Sequence, residues 1–454
     1  MSDFLFDYHK VHPTTWVYLS SLLTISLYFK FSRVLSVRNL DLLGLITLAP
    51  GLLVVEYGLT QEDLQLEQIG YIWLFLASGL FMIRLLVDPM MVRRPLLEPN
   101  LSIGGMTFLG VSLLIFLMAN VVNSKMTPED LAGARGADQV RARQSADPED
   151  KSLVIHGPGY PLLHLLPSLS TQALLTDAPA TDAAQEGGER RGDVVHIATA
   201  RVMAILSHLA IVIGMVLIGY RHFDNIRAGI AAATLYLLLP YTAQLTGRVD
   251  HALPAALLVW AVETYRRPLM SGMLIGLAIG VIYYPVFLLP LWLGFYWQRG
   301  LLRFSLGVVI TLALLVGSLA FTSDSLASFF LQLQQMFGWT SLSPADIQGF
   351  WGLDIIPPVY RYPVLVALAA FCVSLALWPA QKNLGTLMSC SAAVMIATQF
   401  WHPYGGGLYM AWYLPLVLLT IFRPNLEDRV ALSVLGQGWF PKRRVQLVGA
   451  DQAA

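Results

Sequence analysis

Three side chains able to do acid–base and phosphate chemistry lie close together between two strongly apolar runs, in the stretch from Gly247 to Pro254. Ionisable groups at the mouth of a membrane helix are costly and usually mark a functional site. Asp250 beside His251 could act as a general base near neutral pH, and Arg248 could grip a phosphate through two parallel hydrogen bonds. Asp250 is equally suited to cap a helix that begins at Ala252, and both roles can hold together.

The composition indicates the environment of this stretch. Of 454 residues, 56% are hydrophobic and 13% charged, whereas an ordinary soluble domain is about 25% charged. Apolar runs of about 18 residues or more recur from end to end, each long enough to cross a membrane core of about 30 Å. We therefore predict an all-α polytopic membrane protein with about 11 to 13 transmembrane helices.

The formal net charge of zero gives no argument for a nucleic-acid partner, so membrane lipids are the expected surroundings. Both cysteines, Cys372 and Cys390, lie inside apolar runs and are expected to be packed thiols. No sequence pattern of a metal site occurs, and no divalent cation is indicated. His156 and His164, eight residues apart, could bind a metal, but hydrogen-bonded histidines are the favoured interpretation.

Basic and acidic loops alternate along the first three apolar runs. Lys30 and Arg38 follow the first run, Glu62 follows the second, and Arg93 follows the third. Because basic loops stay on the cytoplasmic side, this pattern predicts an N-terminus outside and a C-terminus inside a multi-pass inner membrane protein. The chain then divides into an N-terminal three-helix membrane segment (1–100), a larger membrane domain (101–423) and a cytoplasmic tail (424–454).

Two long outer loops are predicted, at 123–196 and 322–359. The flanks of the first loop are polar and lack aromatic residues, so we expect them to be weakly ordered. An apolar island at 153–167 is too short to span and should dock on the membrane surface or the helical body. In the second loop, Leu326 to Phe337 has the spacing of an amphipathic helix lying in the membrane interface. Tyr284-Pro285 should break the run from Leu269 to Gln298 into two short crossings.

Several motifs occur in order along the chain. They are Gly247-Arg248-Val249-Asp250 at the outer mouth of a helix, the basic turn Arg266-Arg267-Pro268, the small-residue run Gly272 to Ala278, then Tyr284-Pro285 and Leu289-Pro290. Gly159 to Leu163 and Gly407 to Pro415 add two further matches. Together, over about Leu101 to Arg423, these features resemble the GT-C superfamily of membrane glycosyltransferases. The similarity is closest to the bacterial mannosyltransferases that use polyprenyl-phosphate-mannose.

The resemblance implies a GT-C-like fold and transfer of a sugar such as mannose, from a lipid-phosphate donor to an acceptor outside the membrane. It also places a catalytic carboxylate early in the first outer loop, where this chain first offers Glu129 and Asp130. Asp250 is therefore the first candidate for the catalytic base, with Glu129 or Asp130 as substitutes. Arg248, where the family commonly has glutamine, is the first candidate for the donor phosphate ligand.

The remaining candidate residues lie on the predicted outer side. Arg201 lies one turn inside a membrane helix, where it needs either a structural ion pair or a ligand. With Arg361, it is a second candidate for binding the donor phosphate. Six further side chains are predicted to line the pocket: His156, Tyr160, His251, Tyr284, His402 and Tyr404.

Two other functions fit parts of this pattern. A transporter or flippase for a lipid-linked or anionic substrate would use broken helices and an intramembrane arginine, but it also predicts inverted repeats and polar groups near the midplane. A non-catalytic scaffold with a degenerate site would fit the unusual placement of the carboxylates. The gathering of polar residues on one side favours the enzyme.

Overall fold

A computed structural model of the protein describes residues 11–91, 97–124, 126–142, 156–176, 188–323, 325–342, 347–353, 355–426 and 429–435. Within these residues the chain is helical, and its β structure amounts to two isolated bridges. In chain order the helices are α1 (Pro13–Tyr28), α2 (Val37–Gln61), α3 (Leu64–Val87), α4 (Ile103–Asn123), α5 (Ala132–Ala142), α6 (Gly159–Thr176), α7 (Gly188–Arg221), α8 (Ile226–Leu238), α9 (Pro240–Gln244), α10 (Val249–Glu263), α11 (Pro268–Val281), α12 (Leu289–Tyr296), α13 (Leu301–Thr322), α14 (Leu326–Met336), α15 (Arg361–Leu377), α16 (Leu384–Trp401), α17 (Leu414–Phe422) and α18 (Ala431–Val434).

Seven helical segments of the described chain are long and apolar enough to cross a membrane. The all-helical fold is therefore confirmed for the described residues, and seven candidate membrane-spanning helices stand against the 11 to 13 predicted. The other apolar runs form shorter helices because proline interrupts them at Pro240, Pro285 and Pro415. The break predicted at Tyr284-Pro285 is observed as a short 3-10 helix, Tyr284–Leu288, between α11 and α12.

The three N-terminal helices pack on the rest of the protein. The Tyr28 hydroxyl at the end of α1 donates a hydrogen bond to the backbone carbonyl of Ala231 in α8 (2.9 Å). Asp88, which is fully buried, accepts from Arg84 at 3.0 Å and from Arg423, just after α17, at 2.6 Å. These contacts join residues 1–100 to both the middle and the end of the membrane domain.

The segment predicted to be the first outer loop contains more regular structure than expected. Residues 132–142 form helix α5, whose buried face consists of glycine and alanine. Small side chains let α5 lie directly on α6, with Gly133 against the ring of His164 and Gly136 against Pro161. The expectation of a weakly ordered flank over 123–151 is therefore wrong for α5. Its glycine and alanine residues bury little side-chain volume, but they allow the helix to pack closely on α6. Residues 143–155 and 177–187 lie outside the described chain.

The apolar island docks on the helical body, as expected for its described part, 156–167. The amide of Gly157 donates to the carbonyl of Val281 at the end of α11 (2.9 Å). A Cβ atom at Gly157 would lie 2.3 Å from the carbonyl oxygen of Gly280, so this approach requires glycine. The contact places His156 beside the break that follows α11.

Helices α11 and α13 make a close contact through small residues. A Cβ atom at Gly272 would lie 2.1 Å from the backbone oxygen of Phe304, and one at Gly307 would lie 2.2 Å from the oxygen of Leu269. Membrane helices associate mainly through such close packing, because lipid gives no hydrophobic drive between them. This close contact fixes α13 against α11, the helix on which Gly157 also packs.

We predict that Gly272→Ala destabilises the protein by about 1–3 kcal/mol, because the added methyl meets backbone that cannot move aside. Gly317→Ala in α13, where a Cβ atom meets nothing within 4 Å, is the matched control and should leave stability unchanged or slightly raised. Thermal unfolding of the detergent-purified protein, followed by tryptophan fluorescence, measures both. Equal melting temperatures for the two variants would contradict this packing.

Candidate functional site

Asp250 is buried, with 3% of its surface exposed, in the first turn of α10. Arg248 donates to both of its carboxylate oxygens, from Nε to Oδ1 (3.1 Å) and from Nη2 to Oδ2 (2.9 Å). The backbone carbonyl of Asp250 accepts from the indole Nε1 of Trp412 (3.1 Å). The expected N-cap role of Asp250 is wrong, because α10 begins at Val249 and its N-cap is Arg248. The Asp250 side chain is instead directed to the guanidinium group.

Arg248 lies beside all three carboxylates that are candidates for the catalytic base. Besides Asp250, its Nη1 lies 2.5 Å from Oε2 of Glu129, and its Nε lies 3.6 Å from Oδ1 of Asp130. Glu129 is mostly exposed (69% of the side chain), whereas Asp130 is buried. Asp130 also accepts from the amide and the hydroxyl of Thr127, both at 2.8 Å. The cation expected to bind a phosphate is thus already surrounded by anions.

Burial changes the pKa of Asp130, which lies in the loop between α4 and α5. Desolvation raises the pKa of its carboxyl above the ordinary value, and the hydrogen bonds from Thr127 oppose that rise. The charge of Arg248 opposes it as well. Asp130 therefore holds its proton more readily than an exposed aspartate does, and this arrangement reduces the repulsion among three neighbouring carboxylates.

Two imidazoles flank one oxygen of Asp250. Nε2 of His156 lies 3.9 Å from Oδ2, and Nε2 of His251 lies 3.7 Å from the same atom. The other ring nitrogen of His251 is bonded to the hydroxyl of Tyr241 at 2.5 Å. His156 stacks on Tyr160 with ring centroids 4.1 Å apart. The structure therefore brings His156, Tyr160 and His251, three of the residues proposed for the pocket, together near the carboxylate, and adds Tyr241.

A row of stacked rings leads away from Asp250. His251 contacts Tyr409 (4.4 Å between centroids), Tyr409 stacks on His402 (4.6 Å), and His402 stacks on Tyr284 (4.7 Å). Tyr284 and His402, both predicted pocket residues, thus belong to one wall of the site. Tyr409 lies in the motif from Gly407 to Pro415, but nothing in its sequence neighbourhood distinguishes it from a core aromatic residue.

Arg361 and Tyr404 adjoin the far end of this wall. The Arg361 guanidinium lies over the ring of Trp401 (5.5 Å) and donates from Nε to the Trp401 carbonyl (3.3 Å). Tyr404 donates its backbone N–H to Nδ1 of His402 (2.9 Å). Burial, followed by the positive charge of Arg361, lowers the pKa of His402 well below its usual range. His402 is therefore a neutral ring at physiological pH.

Arg201 does not join the carboxylates around Arg248. Its Nη2 donates to the carbonyl of Ser124 at the end of α4 (3.1 Å), and its buried Nε has no hydrogen-bond partner among the described residues. Arg201 was predicted to have either an ion pair or a ligand. Among the described residues its hydrogen-bond partner is a backbone carbonyl and not a carboxylate. Ser124 also lies close to Gly247, so Arg201 supports the loop that carries Arg248.

His164 packs inside the protein rather than facing a ligand. Its Nδ1 is bonded to the Tyr160 carbonyl (2.7 Å), and burial lowers its pKa to about 4. Across the described residues, no group of three or more histidine, cysteine or acidic side chains is arranged to hold a metal ion. Both cysteines are free and buried, as predicted.

A cleft of about 50 Å³ opens beside this site, among α5, the segment from His156 to Leu162, the C-terminal end of α13, and α14. His156 lines the cleft, whereas Arg201, Arg248 and Asp250 do not. His156 is thus the residue that both lines the cleft and lies beside the buried carboxylate. No family model, curated protein or solved structure matches this chain.

We predict that Arg248→Met destabilises the protein by about 3–5 kcal/mol, because it leaves the buried Asp250 carboxylate without its cation. The double variant Arg248→Met/Asp250→Asn should recover most of that loss. Arg429→Met is the matched control, since its partner Asp224 is exposed (64%) and an exposed pair contributes at most about 1 kcal/mol. Thermal unfolding of all three variants provides the measurement, and no recovery in the double variant would refute the pairing.

Proposed function

We propose that the protein is a membrane glycosyltransferase, which transfers a sugar such as mannose from a polyprenyl-phosphate donor to an acceptor hydroxyl on the outer side of the membrane. One observation carries the proposal. His156 borders an open cleft and lies 3.9 Å from Asp250, a buried carboxylate paired with arginine. An imidazole beside a buried carboxylate, on a residue that lines a cleft, is an arrangement suited to general base catalysis.

In this mechanism His156 takes the proton of the acceptor hydroxyl. The acceptor oxygen forms a bond to the anomeric carbon of the donor sugar as the bond from that carbon to the phosphate oxygen breaks. The phosphate leaves with the electron pair, and Asp250 stabilises the imidazolium that His156 becomes. Asp250 thus acts through His156 instead of contacting the acceptor itself, because its carboxylate does not line the cleft.

Arg248 would receive the donor phosphate by exchange of partners. Its Nε and Nη2 stay with Asp250, while Nη1 is held by the exposed carboxylate of Glu129. A phosphate oxygen can replace Glu129 at Nη1 with little cost, because exposed ion pairs are weak. Negative charge grows on the leaving phosphate in the transition state, where a fixed guanidinium stabilises it most.

The distribution of polar groups supports an enzyme over a transporter. Asp250 lies at the start of α10, His402 directly follows α16, and Arg361 begins α15, so the site is built at helix ends. A transporter site would lie near the middle of the helices. The open cleft beside His156 supports activity over a purely structural role. The polyprenyl chain and the surrounding lipids would contact the exposed apolar surface of the helices.

We predict that His156→Asn and Asp250→Asn each lower kcat about 10²–10⁴-fold, the range that general acid–base catalysis contributes. His196→Asn is the control, because its ring is bonded to Asp138 (2.7 Å) and does not line the cleft. The assay follows labelled mannose from polyprenyl-phosphate-mannose into an oligosaccharide, with purified protein in liposomes. Wild-type rates in His156→Asn would exclude it as the base.

We predict that Glu129→Gln lowers KM for the donor about two- to fivefold and leaves kcat unchanged. The change removes the carboxylate that competes with the donor phosphate for Arg248, and an exposed ion pair of this kind is weak. A large drop in kcat would instead identify Glu129 as the base. Glu62→Gln, a change of the same kind at an exposed residue beyond α2, is the control and should alter neither constant. Steady-state kinetics against donor concentration separates these outcomes.

A further inference from the structure

The cleft beside His156 has a lining of uniform chemistry. Its polar residues come from three elements, with Gln139 on α5, Ser318 and Thr322 on α13, and Gln332 and Gln335 on α14. Glycine, proline and aliphatic side chains form the rest, and none of the thirteen residues that line it is acidic, lysine or arginine. Among the described residues, Arg248 and the three carboxylates next to it are not part of this lining.

Amides and hydroxyls both donate and accept hydrogen bonds. A ligand whose own groups also donate and accept, such as the hydroxyls of a sugar, can satisfy them all. An anionic ligand would find no lysine or arginine among the described residues that line the cleft, and it would lose its hydration on entry. The space of about 50 Å³ accommodates about four ordered waters, which the hydroxyl edge of one sugar ring could replace.

Helix α14 holds two of these amides in place. Gln332 and Gln335 are three residues apart and so lie on one face of the helix. The side-chain oxygen of Gln332 accepts from the hydroxyl of Ser323 (3.1 Å), which orients the amide. Leu326 and Phe330 are exposed (78% and 57%), and an amphipathic helix buries such a face in the membrane interface. Anchored there, α14 keeps its glutamines directed at the cleft.

We propose that this cleft binds an uncharged sugar residue of the acceptor, through Gln139, Gln332 and Gln335, with one sugar hydroxyl presented to His156. The proposal rests on the proposed function and specifies its acceptor as a neutral glycan. The three glutamines are binding residues, and they determine which acceptors are used. The donor phosphate is bound separately, at Arg248.

Saturation-transfer NMR on the full-length protein in detergent tests binding directly. The probes are mannotriose, maltotriose and cellotriose as neutral sugars, with trigalacturonate as the acidic counterpart. We expect binding of at least one neutral trisaccharide and none of trigalacturonate. The double variant Gln332→Ala/Gln335→Ala should weaken binding about tenfold or more, because two hydrogen bonds are lost. Gln334→Ala, an exposed glutamine of the same helix, is the matched control and should bind as wild type does.

Tighter binding of trigalacturonate, no binding of any neutral probe, or unchanged binding by the double variant would each overturn the proposal. Release of mannose from the donor to water, measured in parallel, reports the proposed transferase activity independently of the acceptor. Loss of sugar binding with donor hydrolysis retained places the glutamines in the acceptor site. Glutamine-dependent binding of a neutral sugar without donor hydrolysis would leave the cleft a sugar site and reject the transferase.

Discussion

Burying the ionised carboxylate of Asp250 would cost several kcal/mol without an opposite charge beside it. Arg248, the N-cap residue of α10, supplies that charge through two hydrogen bonds. The same guanidinium also attracts further carboxylates, here those of Glu129 and Asp130. The three carboxylates come from two parts of the chain, so the loop between α4 and α5 and the start of α10 must meet. This ion cluster therefore fixes the loop between α4 and α5 against the start of α10.

Contacts between uncharged groups position the other residues of the site. Gly157 lies against the backbone of α11 and positions His156, while the rings of Tyr409, His402 and Tyr284 continue from His251 as one stacked wall. Aromatic rings bury large areas and have few rotatable bonds, so such a wall is rigid. The neutral state of His402 follows from its burial and from the nearby charge of Arg361. A rigid wall beside a charged cluster is the kind of preorganisation that favours a transition state.

Charge and neutral polarity are separated in space at this end of the protein. The ionised groups lie behind His156, and the open cleft in front of it presents amides and hydroxyls. This separation suits a reaction between one charged and one uncharged substrate, because a phosphate needs a cation and a sugar needs paired donors and acceptors. His156 is where the two regions meet, which explains why a residue expected only to line a pocket becomes central to the proposed mechanism.

Composition and the lengths of the apolar runs were enough to predict a helical membrane protein, because the thickness of a bilayer limits what can span it. Local spacing was also enough to single out Arg248, Asp250 and His251, since charged groups beside apolar helices are rare. The partners of these residues could not be predicted: Glu129 is 119 positions from Arg248, and only long-range packing decides that they meet. The same holds for the glutamines of the cleft, which lie on two helices, α5 and α14, and meet only when the helices are placed side by side. Helix α5 was missed because glycine and alanine have low weight in a hydrophobic pattern, yet they allow the closest approach between backbones.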